Sequence, residues 1–126
     1  MAALPDPTDT LDDAARAIWE RMAAVRAHAE GRAALGEVYV RMFNNPACAE
    51  RVGALGELIR FGGTLPGDLR ELAILRYAAR TGFDYEWAHH VRAALLEGVD
   101  EATIAAVGAG EIPQTLPDAT RAALEA

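Results

Sequence analysis

Residues 71–98 read ELAILRYAARTGFDYEWAHHVRAALLEG, and this stretch restricts the possible folds more than any other part of the chain. Leu72, Leu75 and Ala79, with Ile74 and Ala78 on the adjoining turn, place an apolar band at helical spacing. Gly82 interrupts it. Asp84 is the expected N-cap of a second helix whose stripe is Trp87, Val91, Ala94 and Leu95. Two helices joined by so short a turn are predicted to pack antiparallel. Glu86 and His90 are four apart and share one side of the second helix. The same packing would carry Glu71 towards them. Two carboxylates and an imidazole in one crevice make a candidate proton-transfer site.

No region alternates over strand length, so the predicted fold class is all-α. With 126 residues, 52% of them hydrophobic, the chain has the means for one domain with a real core. The expected division is a loose N-terminal arm over 1–10 and a single helical domain over 11–126. Leu11, Ala14, Ala15, Ile18, Met22 and Val25 repeat at three and four, with Thr10 as the expected cap and Gly31 as the expected stop. Trp19 widens this stripe. Leu35, Val38, Tyr39, Met42 and Phe43 form a short helical run ending at Asn44. Asn45-Pro46 is a strong helix start. Cys48, Val52, Leu55 and Ile59 are the expected buried stripe of the helix that follows, with Gly53 and Gly56 admitting a close neighbour. Asp100 is the expected cap of a short helix carrying Ile104 and Val107. A last run begins at Asp118 and offers little packing surface in Ala122, Ala123 and Leu124.

The net charge of -7 and pI near 4.9 exclude the basic footprint of a nucleic-acid binder. Every Lys/Arg position is arginine. Cys48, the one cysteine, excludes an internal disulfide and a CxxC redox pair; on its apolar stripe it is expected to be a small buried hydrophobe. No apolar run is long enough to span a membrane, and the start lacks the segments of a signal peptide, so the expected compartment is the cytoplasm.

Glu71, the 85–90 segment YEWAHH, the NNP turn at 44–46 and the run LGELIRFGGTLPGDLRELAIL together resemble the carboxymuconolactone decarboxylase family. This is the all-helical superfamily that also contains the alkylhydroperoxidase D proteins. The resemblance covers roughly 11–117 and implies a helical bundle built around the antiparallel pair. In the peroxidase branch a glutamate precedes CxxC and a histidine four residues further on. Glu71 and His90 occupy the glutamate and histidine positions, while Phe83 and Glu86 stand where the cysteines would be. The thiol chemistry of that branch is therefore denied. Glutamate at the Glu86 position is what decarboxylase-like members show, and their reaction removes carbon dioxide from a carboxylated lactone. Relatives of the YEW type usually continue with further helices, so the chain is either a compact member or one lacking C-terminal helices.

The implied catalytic residues are Glu71, Glu86 and His90. His90 has a side chain that titrates near neutrality and suits a general acid or base; the plainer alternative is a half-buried histidine bonded to Glu86. Glu86 either orients the imidazole or protonates a carbanionic intermediate, or is simply a helix-surface partner. Glu71 also has Arg70 and Arg76 nearby as ordinary ion-pair partners. Tyr85, Arg76 and His89 are the candidate substrate contacts, with His89, on another side of the helix, equally suited to a structural role. Arg80 and Arg92 are further arginines that could hold a substrate carboxylate. Trp87 is expected in the core and His28 on the surface. A metal set from Glu71, Glu86 and His90 is the disfavoured option, since adjacent histidines in a helix diverge by about 100° and HExxH is absent. The expected cofactor is none. The expected partners are a small-molecule substrate and further copies of the chain (dimer, trimer or hexamer), with no nucleic acid or membrane. Three functions remain: a cofactor-free lyase, a non-catalytic helical scaffold or binding protein, and, less favoured, a peroxidase.

Overall fold

The computed structural model describes the backbone of residues 4–30 and 35–126 and the side chains of 4–27 and 35–126. Gly31 and the side chain of His28, both given roles above, lie outside the described residues. Among those residues the structure is all-α, with a short 3-10 turn (Thr8–Thr10) and no strand. The helices are α1 (Asp13–Glu30), α2 (Glu37–Met42), α3 (Pro46–Phe61), α4 (Gly67–Thr81), α5 (Asp84–Leu96), α6 (Glu101–Gly108) and α7 (Asp118–Glu125). They group into two compact units, Met1–Gly63 and Thr64–Ala126. No described helix is long and apolar enough to cross a membrane.

The first unit packs α1, α2 and α3 around Met22, Ala23, Leu35, Val40, Phe43 and Ala49. Trp19 meets Phe43 edge to face at 5.0 Å. Arg26 is buried, and four contacts compensate its charge: Glu57 at 2.8 Å, the Met22 and Gly53 carbonyls, and the Tyr39 ring 4.1 Å from its guanidinium. Asn45 caps α3 as expected, accepting from the Cys48 N–H, with Pro46 at the first helical position. The expected stripe of α3 does not hold. Cys48, Val52, Leu55 and Ile59 are exposed, and the buried residues are Ala49 and Gly53. The small side chains bring the α3 backbone against Met22, so a face that looks weak in the sequence is the one that packs.

The start of α1 also differs. Its capping side chain is Asp12, which accepts from the Ala15 N–H at 2.8 Å, while Thr10 sits in the 3-10 turn and donates to the Pro7 carbonyl. Residues 4–10 are tied to the first unit by Asn44 to the Pro5 carbonyl and Arg41 to the Leu4 carbonyl.

The second unit is built on α4 and α5. Gly82 ends α4 at φ 69°, a left-handed conformation that costs glycine little, and the Phe83 N–H closes back on the Ala78 carbonyl. Asp84 is the first residue of α5 and makes no side-chain cap; Phe83 holds the cap position. Early α4 meets late α5, Arg70 with Glu97 and Glu71 with His90, so the pair is antiparallel. Leu72, Leu75, Ala94, Val99, Ile104, Val107 and Leu124 form the core, with Trp87 and Val91 packed on its edge. Each fully buried leucine contributes about 1.5–3 kcal/mol. Asp100 caps α6 through the Thr103 N–H. Helix α7 packs better than its sequence suggests: Leu124 and Thr120 are buried. They are four apart, and this one stripe suffices to seat a two-turn helix on α4.

Candidate proton-transfer site

Glu71 lies on the same side of α4 as Leu72, Leu75 and Ala78, which carries its carboxylate into the second unit's interior, at 0% exposure. A carboxylate so placed needs charged or hydrogen-bonding partners. One oxygen, Oε1, accepts from Arg70 Nε at 3.0 Å. The other, Oε2, lies 2.6 Å from His90 Nδ1. Arg70 reaches on to Glu97 Oε1, also at 3.0 Å. The far nitrogen of the imidazole, Nε2, is 3.3 Å from Glu86 Oε2.

The result is one chain of groups running Glu97, Arg70, Glu71, His90, Glu86. Its middle is buried, His90 having 8% of its side chain exposed, while Glu86 at one end is 44% exposed and Glu97 at the other 42%. With the ring proton on Nδ1, His90 donates to Glu71 Oε2, and Nε2 is the nitrogen directed at Glu86. A proton arriving at Nε2 makes an imidazolium held between two carboxylates. The geometry suits transfer of a proton between His90 Nε2, Glu86 and a molecule in solvent.

The structure therefore brings Glu71, Glu86 and His90 together. Tyr85 and His89 lie beside them: the two rings stack at 6.1 Å and 10°, and the His89 ring meets His90 edge-on at 5.5 Å. Trp87, expected in the core, is packed at its edge. Arg76 is placed elsewhere. Its Nη1 donates to the Gly110 carbonyl at 2.7 Å, and with Arg80 it lines a cavity whose walls include none of Glu71, Glu86 and His90.

The reading of the sequence missed Glu97 and gave Arg70 only a pairing role. A signal for Glu97 existed: it is eleven residues after Glu86, three helical turns, so the two share a side of α5 with His90. Among the described residues no three His, Cys, Asp or Glu side chains are disposed to hold a metal ion. The two carboxylates approach opposite nitrogens of one ring, a hydrogen bond at Nδ1 and an ion-pair distance at Nε2.

A helical unit with a glutamate–histidine–glutamate relay across an antiparallel pair is the class these features define. The model of the carboxymuconolactone decarboxylase family matches residues 46–126, more than half of the sequence, and the chain belongs to that family. The match starts at Pro46, later than the resemblance suggested, and runs through α7. No curated protein matches, and no solved structure matches.

Proposed function

We propose that the protein is a cofactor-free lyase of the carboxymuconolactone decarboxylase type, acting on a small carboxylated lactone or related carbonyl acid. The observation that carries this reading is the imidazole of His90 held between the buried Glu71 and the half-exposed Glu86. The carbon–carbon bond to the carboxylate breaks, carbon dioxide leaves, and the electron pair passes into the neighbouring carbonyl to give an enolate. One proton, delivered from His90 Nε2 or from Glu86, then reaches the carbon that lost the carboxylate. Solvent restores that proton through Glu86. Glu71 orients the ring and stabilises its protonated form, with Arg70 holding Glu71 in place. Tyr85 and His89 are the substrate contacts nearest this centre. Self-association belongs to the same proposal, supported by the exposed Leu55, Leu58 and Ile59 on α3.

The test is His90→Gln assayed for carbon dioxide release from carboxylated lactones. A loss of about 10²–10⁴-fold with circular dichroism unchanged supports the lyase, and undiminished turnover overturns it.

A scaffold without catalysis is the second reading, supported by the burial of Glu71 and its pairing with both Arg70 and His90. A panel on which the parent protein turns over nothing, while His90→Gln lowers its melting temperature, favours that reading. A thiol peroxidase is disfavoured: Phe83 and Glu86 stand at the thiol positions, and Cys48 lies on α3. Rapid reduction of a hydroperoxide by the purified protein would reverse this.

A further inference from the structure

A cavity of about 470 Å³ opens between α4 and the end of α7, within the size range of small-molecule sites. It is separate from the relay. Successive helical residues turn by about 100°, so Arg76 lies about 140° and Arg80 about 180° around α4 from Glu71. Arg76, Tyr77 and Arg80 supply the polar wall, and Ala73 and Ala123 part of the apolar one.

The two guanidinium groups are one helical turn apart, and like charges at that spacing repel. In a chain of net charge -7, acidic partners are plentiful, yet no ion pair joins either arginine to another described residue, although Ala126, the last residue, also lines the cavity. Arg76 is fixed by the Gly110 carbonyl, and its Nε is buried without a hydrogen-bond partner. No hydrogen bond or ion pair joins Arg80 to another described residue. Two guanidinium groups that no ion pair with a described residue engages, beside an apolar wall, are complementary to an anion with a hydrocarbon body.

We propose that this cavity binds a small organic monocarboxylate, its carboxylate between Arg76 and Arg80 and its body against Ala73 and Ala123 beside the Tyr77 ring. The site is distinct from the one proposed for catalysis and does not depend on it.

The experiment titrates the full chain with benzoate, and in parallel with inorganic phosphate, following backbone amides by NMR. The expected result is saturable benzoate binding that shifts the amides of Ala73, Arg80 and Ala123, weakened about tenfold or more in Arg80→Gln and partly restored in Arg80→Lys. Arg80 is exposed, so these variants retain the fold. Absence of saturable binding, affinity undiminished in Arg80→Gln, or shifts centred on His90 instead would each overturn the proposal. Phosphate binding as tightly as benzoate would also overturn it, because the apolar wall would then select nothing.

Discussion

Glu71 and His90, nineteen positions apart on antiparallel helices, meet at 2.6 Å with the carboxylate sealed from solvent. That contact fixes the rest of the local chemistry. It sets which imidazole nitrogen points inward, leaves Nε2 facing Glu86, and makes Arg70 necessary as the second partner of a buried anion. The two carboxylates touching one ring consequently have unlike surroundings. Glu71 is fully buried, while Glu86 is 44% exposed.

Glu71→Gln tests the buried end. The glutamine retains the shape but removes the charge that paired with Arg70, and with its oxygen kept on Arg70 its amide presents a donor to His90 Nδ1. The expected loss is about 3 kcal/mol, the lower end for removing one partner of a buried pair, because Glu97 still offsets part of the arginine's charge. Urea unfolding of the two proteins measures it. Nitrogen-15 NMR of the imidazole adds a second readout: the proton of neutral His90, on Nδ1 in the parent, moves to Nε2 in the variant. A loss within about 0.5 kcal/mol, the range of an ordinary surface change, would contradict the account of Glu71.

Glu86→Gln tests the exposed end and should divide stability from activity. As a half-exposed i,i+4 partner, Glu86 contributes about 0.2–0.5 kcal/mol to folding, so the melting curve should scarcely move. Carbon dioxide release from a competent substrate should fall by about 10²-fold or more if Glu86 passes protons to the ring. A variant that melts like the parent and turns over like it would remove Glu86 from the mechanism.

Glu86 and His90 were legible from helical period, while Glu71 rested on the family resemblance as well. Four residues place Glu86 and His90 on one side, and the glycine turn implies the antiparallel return that brings in Glu71. Caps at Asn45 and Asp100 were legible for a similar reason, since each requires only local chain geometry. Less legible was which face of a helix packs. On α3, Ala49 and Gly53 are buried by close backbone approach, which a count of large apolar residues cannot register. At the start of α1, Thr10 and Asp12 both have capping side chains two positions apart, and only the 3-10 turn decides for Asp12. The Arg70–Glu97 pair depends on packing register between two helices, and Arg76 on which side of α4 receives α7.

Two glycines give a paired prediction in which size decides the sign. A methyl at Gly53 would overlap the terminal Sδ–Cε end of Met22, a flexible side chain able to turn aside. Gly53→Ala should therefore be near neutral, the helix-propensity gain of about 1 kcal/mol offsetting the rearrangement. At Gly108 the methyl would lie 2.8 Å and 2.9 Å from two carbons of the Trp87 indole. A rigid ring cannot yield locally, and overpacking costs about 1–3 kcal/mol. The gain from replacing glycine at a helix end is smaller than that, so Gly108→Ala should be destabilised by about 1 kcal/mol or more. Thermal melts of both variants check the order, and Gly53→Ala as the less stable of the two would refute it.

Asp100 predicts a pH dependence with a definite sign. Its carboxylate accepts from the Thr103 N–H and the Thr103 hydroxyl, both at 2.8 Å, and these bonds hold its pKa below the ordinary carboxylate value. A group depressed in the folded state contributes stability that is fully present above its unfolded pKa, about 3.9 for aspartate, and is lost as pH falls through the lower folded value. Asp100→Asn retains an acceptor for the cap but cannot titrate. The melting temperature of the parent minus that of Asp100→Asn should accordingly be constant from about pH 7 to pH 5, then shrink below about pH 4. A difference that grows on acidification, or one that changes mainly between pH 5 and 7, would show that another group governs the dependence. The cap's place makes the comparison useful beyond α6, because Ile104 and Val107 of that helix pack in the same core cluster as Leu72 and Leu75 of α4, the helix that carries Glu71. If loosening α6 reaches the relay, the nitrogen-15 signals of His90 should change in step with the melting difference in the parent and remain unaffected by that step in Asp100→Asn.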